Sequence, residues 1–89
     1  MEIVYTKEFK RGLKRMKKRG NNQAHIENVI DLLLDNKALP AKYKDHALIG
    51  KYIGFRECHI EPDWLLIYAI YKEKLILTAT GTHSDLDLY

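Results

Sequence analysis

Only one cysteine, Cys58, occurs in the 89 residues of this chain. A single thiol excludes an internal disulfide framework and any cysteine-rich zinc site, and it fits a reducing compartment. Long hydrophobic runs are also missing. The longest, WLLIYAIY from Trp64 to Tyr71, is far short of the roughly 20 residues a membrane helix needs. The opening MEIVYTKEFK has no apolar core of the kind a secretory signal carries. Repeats, linkers and low-complexity stretches are absent. Together these absences predict a soluble cytoplasmic protein with no membrane contact. With 46% hydrophobic residues, the chain has the composition of one folded domain over residues 1–89 rather than of a disordered segment.

What is abundant is basic charge near the start. Eight of the 15 lysines and arginines fall between Lys7 and Arg19, and the net charge is +3. Such clustering suits a polyanionic partner, although a solvated helix face has the same composition.

Residues Glu2 to Tyr5 read as a short strand. Thr6 is a helix N-cap, and Phe9, Leu13 and Met16 form an apolar stripe that should stop at Gly20. Asn21 or Asn22 caps a second helix, in which Ile26, Val29, Ile30, Leu33 and Leu34 repeat with helical spacing to about Asn36. The two helices should form a hairpin whose shared stripe covers a sheet. Ala41 to Gly50 reads as irregular. Lys51 to Glu61 reads as a strand bent at Gly54, followed by a turn at Glu61-Pro62-Asp63. Trp64 to Tyr71 reads as a strand buried on both faces, and Leu75 to Thr82 as the last strand, with a short tail from His83. The sum is an α+β fold in the order β-α-α-β-β-β, with an antiparallel meander and a helical hairpin on one face.

Ionisable residues crowd at the ends of the Trp64–Tyr71 strand. Alternation puts Phe55, Glu57, His59 and Glu61 on one face, while Cys58 and Ile60 suit the helix-covered side. Glu57 and His59 should therefore face outward. A row of this kind is either merely solvated or an active surface. Of four histidines, His25 lies within the second helix and takes a surface role; His46, His59 and His83 lie at a loop, a strand and a strand end. With Asp63 they could ligate zinc, but no metal-binding spacing such as H-E-x-x-H is present. Acid–base catalysis fits better, because one imidazole can take a proton while another gives one. RNA brings its own nucleophile, the 2′-OH, so a small metal-free RNA-cutting enzyme is the reading of the residues. Trp64 reads as a core or rim anchor rather than a base-stacking group.

The strings KDHALIGKYIGFRECHIEPDWLLIY, starting at Lys44, and TGTHSDL, from Thr80 to Leu86, resemble the YafQ branch of the RelE/ParE toxin superfamily of bacterial toxin–antitoxin pairs. The similarity runs from Tyr5 to Leu86. It implies a RelE-like fold and a ribosome-dependent endoribonuclease that cuts mRNA without a metal or other cofactor. By position, the resemblance makes His46, His59, Asp63 and His83 catalytic. His83 takes the place of the general acid, His46 and His59 share the base role and the scissile phosphate, and Asp63 orients a histidine. Glu57 and Lys51 are candidate substrate-binding residues. The implied partners are a DinJ/RelB-like antitoxin, mRNA on the ribosome, ribosomal RNA, and operator DNA through the antitoxin complex. A gyrase-directed toxin of the ParE kind would not need the three histidines.

The chain departs from the family pattern twice. Ala79 stands where the family usually has arginine, a natural clamp for a pentavalent phosphate. Asp87 follows Leu86 where an aromatic is usual, with Tyr89 two residues further on. These departures keep a second reading open: a weakened or inactive toxin homologue, acting mainly as an antitoxin-binding module in an autoregulatory DNA-binding complex.

Overall fold

The computed structural model describes residues 1–86, the side chain of Lys51 excepted. Asp87 and Tyr89 therefore lie outside the described residues. Eight regular elements follow one another: β1 (Glu2–Tyr5), α1 (Lys7–Lys18), α2 (Gln23–Leu34), β2 (His46–Ala47), β3 (Arg56–Glu61), β4 (Trp64–Tyr71), β5 (Lys74–Gly81) and α3 (His83–Leu86). The five strands form one sheet in the order β1-β5-β4-β3-β2. Strands β3, β4 and β5 make the expected antiparallel meander, and β1 joins its edge parallel to β5.

Local chemistry sets the helix ends. Thr6 caps α1 by accepting the Phe9 N–H, and Asn22 caps α2 by accepting the Ala24 N–H. Both helices close with paired reverse hydrogen bonds around a left-handed residue. At α1 this is Gly20, with Asn21 N–H reaching the Met16 carbonyl; at α2 it is Asn36, with Lys37 N–H reaching the Leu32 carbonyl.

One face of the sheet meets the helices. Phe9 and Met16 of α1 and Ile26, Val29 and Leu33 of α2 pack with Cys58, Ile60, Trp64, Leu66, Tyr68, Leu75 and Leu77. Gly12 lets α1 approach β5: a Cβ at this position would sit 2.1 Å from the Thr80 carbonyl oxygen. Trp64 is wholly buried. Its Nε1–H donates to Thr80 Oγ1 (2.9 Å), whose hydroxyl donates to the Leu65 carbonyl (2.6 Å). The expectation of a strand buried on both faces holds from Trp64 to Ala69, beyond which Ile70 and Tyr71 are exposed.

Three local readings change. Residues 51–61 are not one bent strand. Gly50–Tyr52 is a 3-10 turn, Gly54 takes φ +94°, and the strand begins only at Arg56. The turn closes with Phe55 N–H donating to the Tyr52 carbonyl, so this N–H is committed locally, while the Phe55 carbonyl accepts from Leu48 N–H just before the strand starts. The stretch read as irregular contains a 3-10 turn, Ala41–Tyr43, and the two-residue strand β2. The tail at His83 is a single helical turn, α3. Among the described residues, no helix is long and apolar enough to cross a membrane.

Candidate active site

The register of the sheet gathers the site. His46 of β2 lies directly opposite Glu57 of β3, and His59 follows Glu57 by two residues, so all three share the face away from the helices. Both imidazoles turn Nε2 toward one oxygen, Glu57 Oε1, at 3.7 Å from His46 and 3.6 Å from His59. Glu57 is completely buried, which corrects the outward-facing expectation. The face was read rightly, but on that face the carboxylate is shut off from solvent. Its depth sets Glu57 behind the surface that a substrate would meet. A buried carboxylate is tolerated only with positive or hydrogen-bonding company, and both imidazoles lie within ion-pair distance of it.

The His46 ring is fixed from its other side. Its Nδ1 lies 2.7 Å from the Lys44 carbonyl. A carbonyl only accepts, so Nδ1 carries the proton and Nε2 is the position that exchanges one. Lys44 takes the left-handed conformation (φ 49°, ψ 41°) that aims this carbonyl. Its neighbour Asp45 is gripped by Arg56, at 2.9 Å from Nη2 to Oδ2, and accepts from the Tyr68 hydroxyl. The short edge strand β2 is thus tied to β3 and β4 by side chains as well as by its own brief ladder.

His83 arrives from the opposite side. Thr82 and Asp85 form a reciprocal capping box around the first turn of α3: Thr82 N–H donates to Asp85 Oδ2 (3.0 Å), and Asp85 N–H donates to Thr82 Oγ1 (3.1 Å). Arg19, just past α1, grips the same carboxylate at 2.6 and 3.1 Å. Its guanidinium holds the Asp85 carboxyl well below the usual carboxylate range. Gly81 has no room for a side chain, since a Cβ would lie 2.8 Å from Asp85 Cβ.

Asp63, in the turn between β3 and β4, accepts two bonds from His83. One comes from the backbone N–H (3.0 Å) and one from ring Nδ1 (2.6 Å). The backbone bond first and the ring bond second hold the Asp63 carboxyl below its ordinary value. With Nδ1–H engaged, proton transfer by His83 passes through Nε2. The His59 and His83 rings lie 5.6 Å apart at 70°, so the two halves of the cluster meet edge to face.

All four residues expected to be catalytic, His46, His59, Asp63 and His83, are therefore brought to one end of the sheet. His25 stands apart and pairs with Glu61 (3.1 Å). The Lys51 side chain lies outside the described residues. Ala79 sits opposite Ile67, which in turn faces Glu57, so the missing arginine would have risen from the site face. Burial pushes the Cys58 thiol up to about 12, which removes it as a nucleophile. Among the described residues, no group of three or more His, Cys, Asp or Glu side chains converges as a metal site. Arg19, Thr82, Lys44 and Asp45 were not singled out from sequence as positioning residues, and Asp85 stood out only as one of the ionisable residues beyond the last strand. Only the T-x-x-D spacing from Thr82 to Asp85 carried a readable signal.

A family model described as the bacterial toxin of type II toxin–antitoxin systems, YafQ, matches residues 1–88. The mRNA interferase toxin YafQ of Escherichia coli is 38% identical over 86 residues, 96% of this chain and 94% of that protein. The toxin in a crystal structure of the E. coli DinJ–YafQ complex superposes with a TM-score of 0.89 at 38% identity, covering 96% of each chain. A copper-bound mutant toxin from Helicobacter pylori superposes with a TM-score of 0.93 at 35% identity, covering 97% of this chain and 98% of that one.

Proposed function

The chain belongs to the YafQ family of type II toxins, and from that premise we propose that it is a ribosome-dependent mRNA endoribonuclease, held silent by a DinJ-like antitoxin in the cytoplasm. The observation that carries the reading is the pairing of imidazoles with carboxylates. His46 and His59 share Glu57 Oε1, and His83 is held by Asp63 within 5.6 Å of the His59 ring.

The chemistry needs no metal. A base among His46 and His59 removes the proton of the 2′-OH. The 2′-oxygen attacks phosphorus, the bond to the 5′-oxygen breaks, and His83 gives that oxygen a proton. The product is a 2′,3′-cyclic phosphate or its hydrolysis product. Asp63 orients the His83 ring, and Glu57 acts as a positioning residue that holds His46 and His59 in register. The basic α1 suits ribosomal RNA, where each lysine or arginine at a phosphate adds salt-dependent affinity, or an acidic stretch of the antitoxin. Operator DNA is reached through the antitoxin complex.

A second reading rests on Ala79. No guanidinium rises from that position of the site face, which favours a weakened enzyme that serves chiefly as the antitoxin-binding half of a repressor complex. One experiment separates the two: cleavage mapping of a reporter mRNA in a reconstituted translation reaction, with the native chain and His83→Ala. Ribosome-dependent cuts lost in the variant establish the enzyme. A folded native chain that makes no cuts leaves the repressor reading.

A further inference from the structure

A groove of about 570 Å³ opens beside the cluster, between the end of β3 and the N-terminal half of α2. His59, whose ring faces Glu57, is also among the residues that line it, so the groove borders the cluster. Lys42, Tyr43 and Lys44 line it together with Asn28 and the His25–Glu61 pair. The size falls within the roughly 300–1,000 Å³ of sites that hold small ligands.

The chemistry of the lining is that of a nucleotide site. Two lysines face a single carboxylate, Glu61, which His25 already engages at 3.1 Å. The Lys42 ammonium lies 5.0 Å from the Tyr43 ring centroid, which keeps a cation at the wall beside a flat aromatic surface. Lys44 serves both regions: its side chain lines the groove while its carbonyl fixes His46. A phosphate bound by Lys44 would be held by the same residue whose carbonyl fixes the His46 ring.

We infer that this groove holds the nucleotide adjoining the cut, with Lys42 and Lys44 on its flanking phosphates, and that it fixes the register of the RNA against the histidines. The assignment rests on the endoribonuclease reading. An acidic protein segment would meet the same two charges, but the shared His59 and the aromatic wall favour RNA.

The test uses the Lys42→Gln/Lys44→Gln double variant in two assays. The first is cleavage in the reconstituted translation reaction. The second is salt-dependent binding of a single-stranded RNA oligonucleotide made uncleavable by 2′-O-methylation. The Lys72→Gln/Lys74→Gln double variant, at the far end of β4, removes the same charge and is the control. The groove variant should raise KM about tenfold with kcat within twofold, and should lower the salt slope by about 1.4, the contribution of two single-strand phosphates. The control should change neither. Unchanged KM and slope in the groove variant, or an equal change in the control, overturns the groove while the native chain still cuts. A native chain that never cuts, yet loses slope only in the groove variant, overturns the endoribonuclease reading and leaves the groove as an RNA site.

Discussion

Arg19 and Asp85, 66 residues apart in sequence, are joined by two N–H···O bonds of 2.6 and 3.1 Å. The pair connects the end of α1 to the single turn that carries His83. Asp85 sits with its carboxyl depressed below the ordinary value, so its contribution to stability is complete above the unfolded value near 4 and is lost as pH falls below it. Native protein should therefore lose stability more steeply than Asp85→Asn between about pH 4 and pH 2. Urea midpoints measured from pH 6 down to pH 2.5 check this, and parallel curves would refute it. The same variant should lower kcat about 10- to 100-fold, because α3 then holds His83 less accurately.

Glu57→Gln tests the role of the buried carboxylate. Glutamine keeps the volume and removes the charge that both imidazoles face. Cleavage kinetics in the translation reaction should show kcat reduced about 100-fold with KM unchanged. A raised KM with normal kcat would return Glu57 to substrate contact.

Ala79→Arg places a guanidinium on the face that carries Glu57 and His59. If the absent clamp limits the reaction, cleavage should rise about 100- to 1,000-fold, the worth of one such donor. Equal rates for the two proteins would mean that this chain stabilises the phosphate charge by other groups.

Gly12→Ala forces a methyl group against the Thr80 carbonyl at 2.1 Å. Overpacking of this kind costs about 1–3 kcal/mol, which for a domain this small lowers Tm by more than about 4 °C. Thermal melting followed by circular dichroism reads it directly, and an unchanged Tm would mean that α1 can shift on β5 without loss.

Cys58 should resist alkylation by iodoacetamide at pH 8 in the folded state. Its thiol is pushed up to about 12 by burial first and by the nearby Asp45 and Glu57 charges next, so almost no thiolate is present. Reaction should appear only on unfolding; labelling of the native protein would contradict the buried assignment.

The helices were readable because their signals are local: Thr6 and Asn22 are caps within one turn of the residues they serve, and the α2 stripe repeats with an unmistakable period. The central strand was readable from an apolar run bounded by Pro62 and the Lys72–Glu73 turn. Strand β2 was not, because two residues carry no periodicity and pair only through partners eleven and nine positions on. Gly54 was visible as a break, but its left-handed turn precedes a strand rather than bending one. The four residues expected to be catalytic came from the motifs that resemble the family, and the fold places them near one another. The burial of Glu57 was hidden, since alternation gives a face and not a depth. Arg19 was hidden too, lost among seven other basic residues until the fold brought it to Asp85.

The cluster is assembled from parts of unequal durability. His59 rides on a strand in the middle of the sheet, whereas His46 rides on β2, two exposed residues with a two-pair ladder at the sheet's margin. Segments with so few ladder bonds open at far smaller free energy than the body of a domain. Peeling that margin away would withdraw one imidazole and uncover a carboxylate, while the sheet, the helices and the Arg19–Asp85 tie stayed as they are. On the proposed mechanism, one of the two candidate bases would then be gone while the shape of the domain stayed.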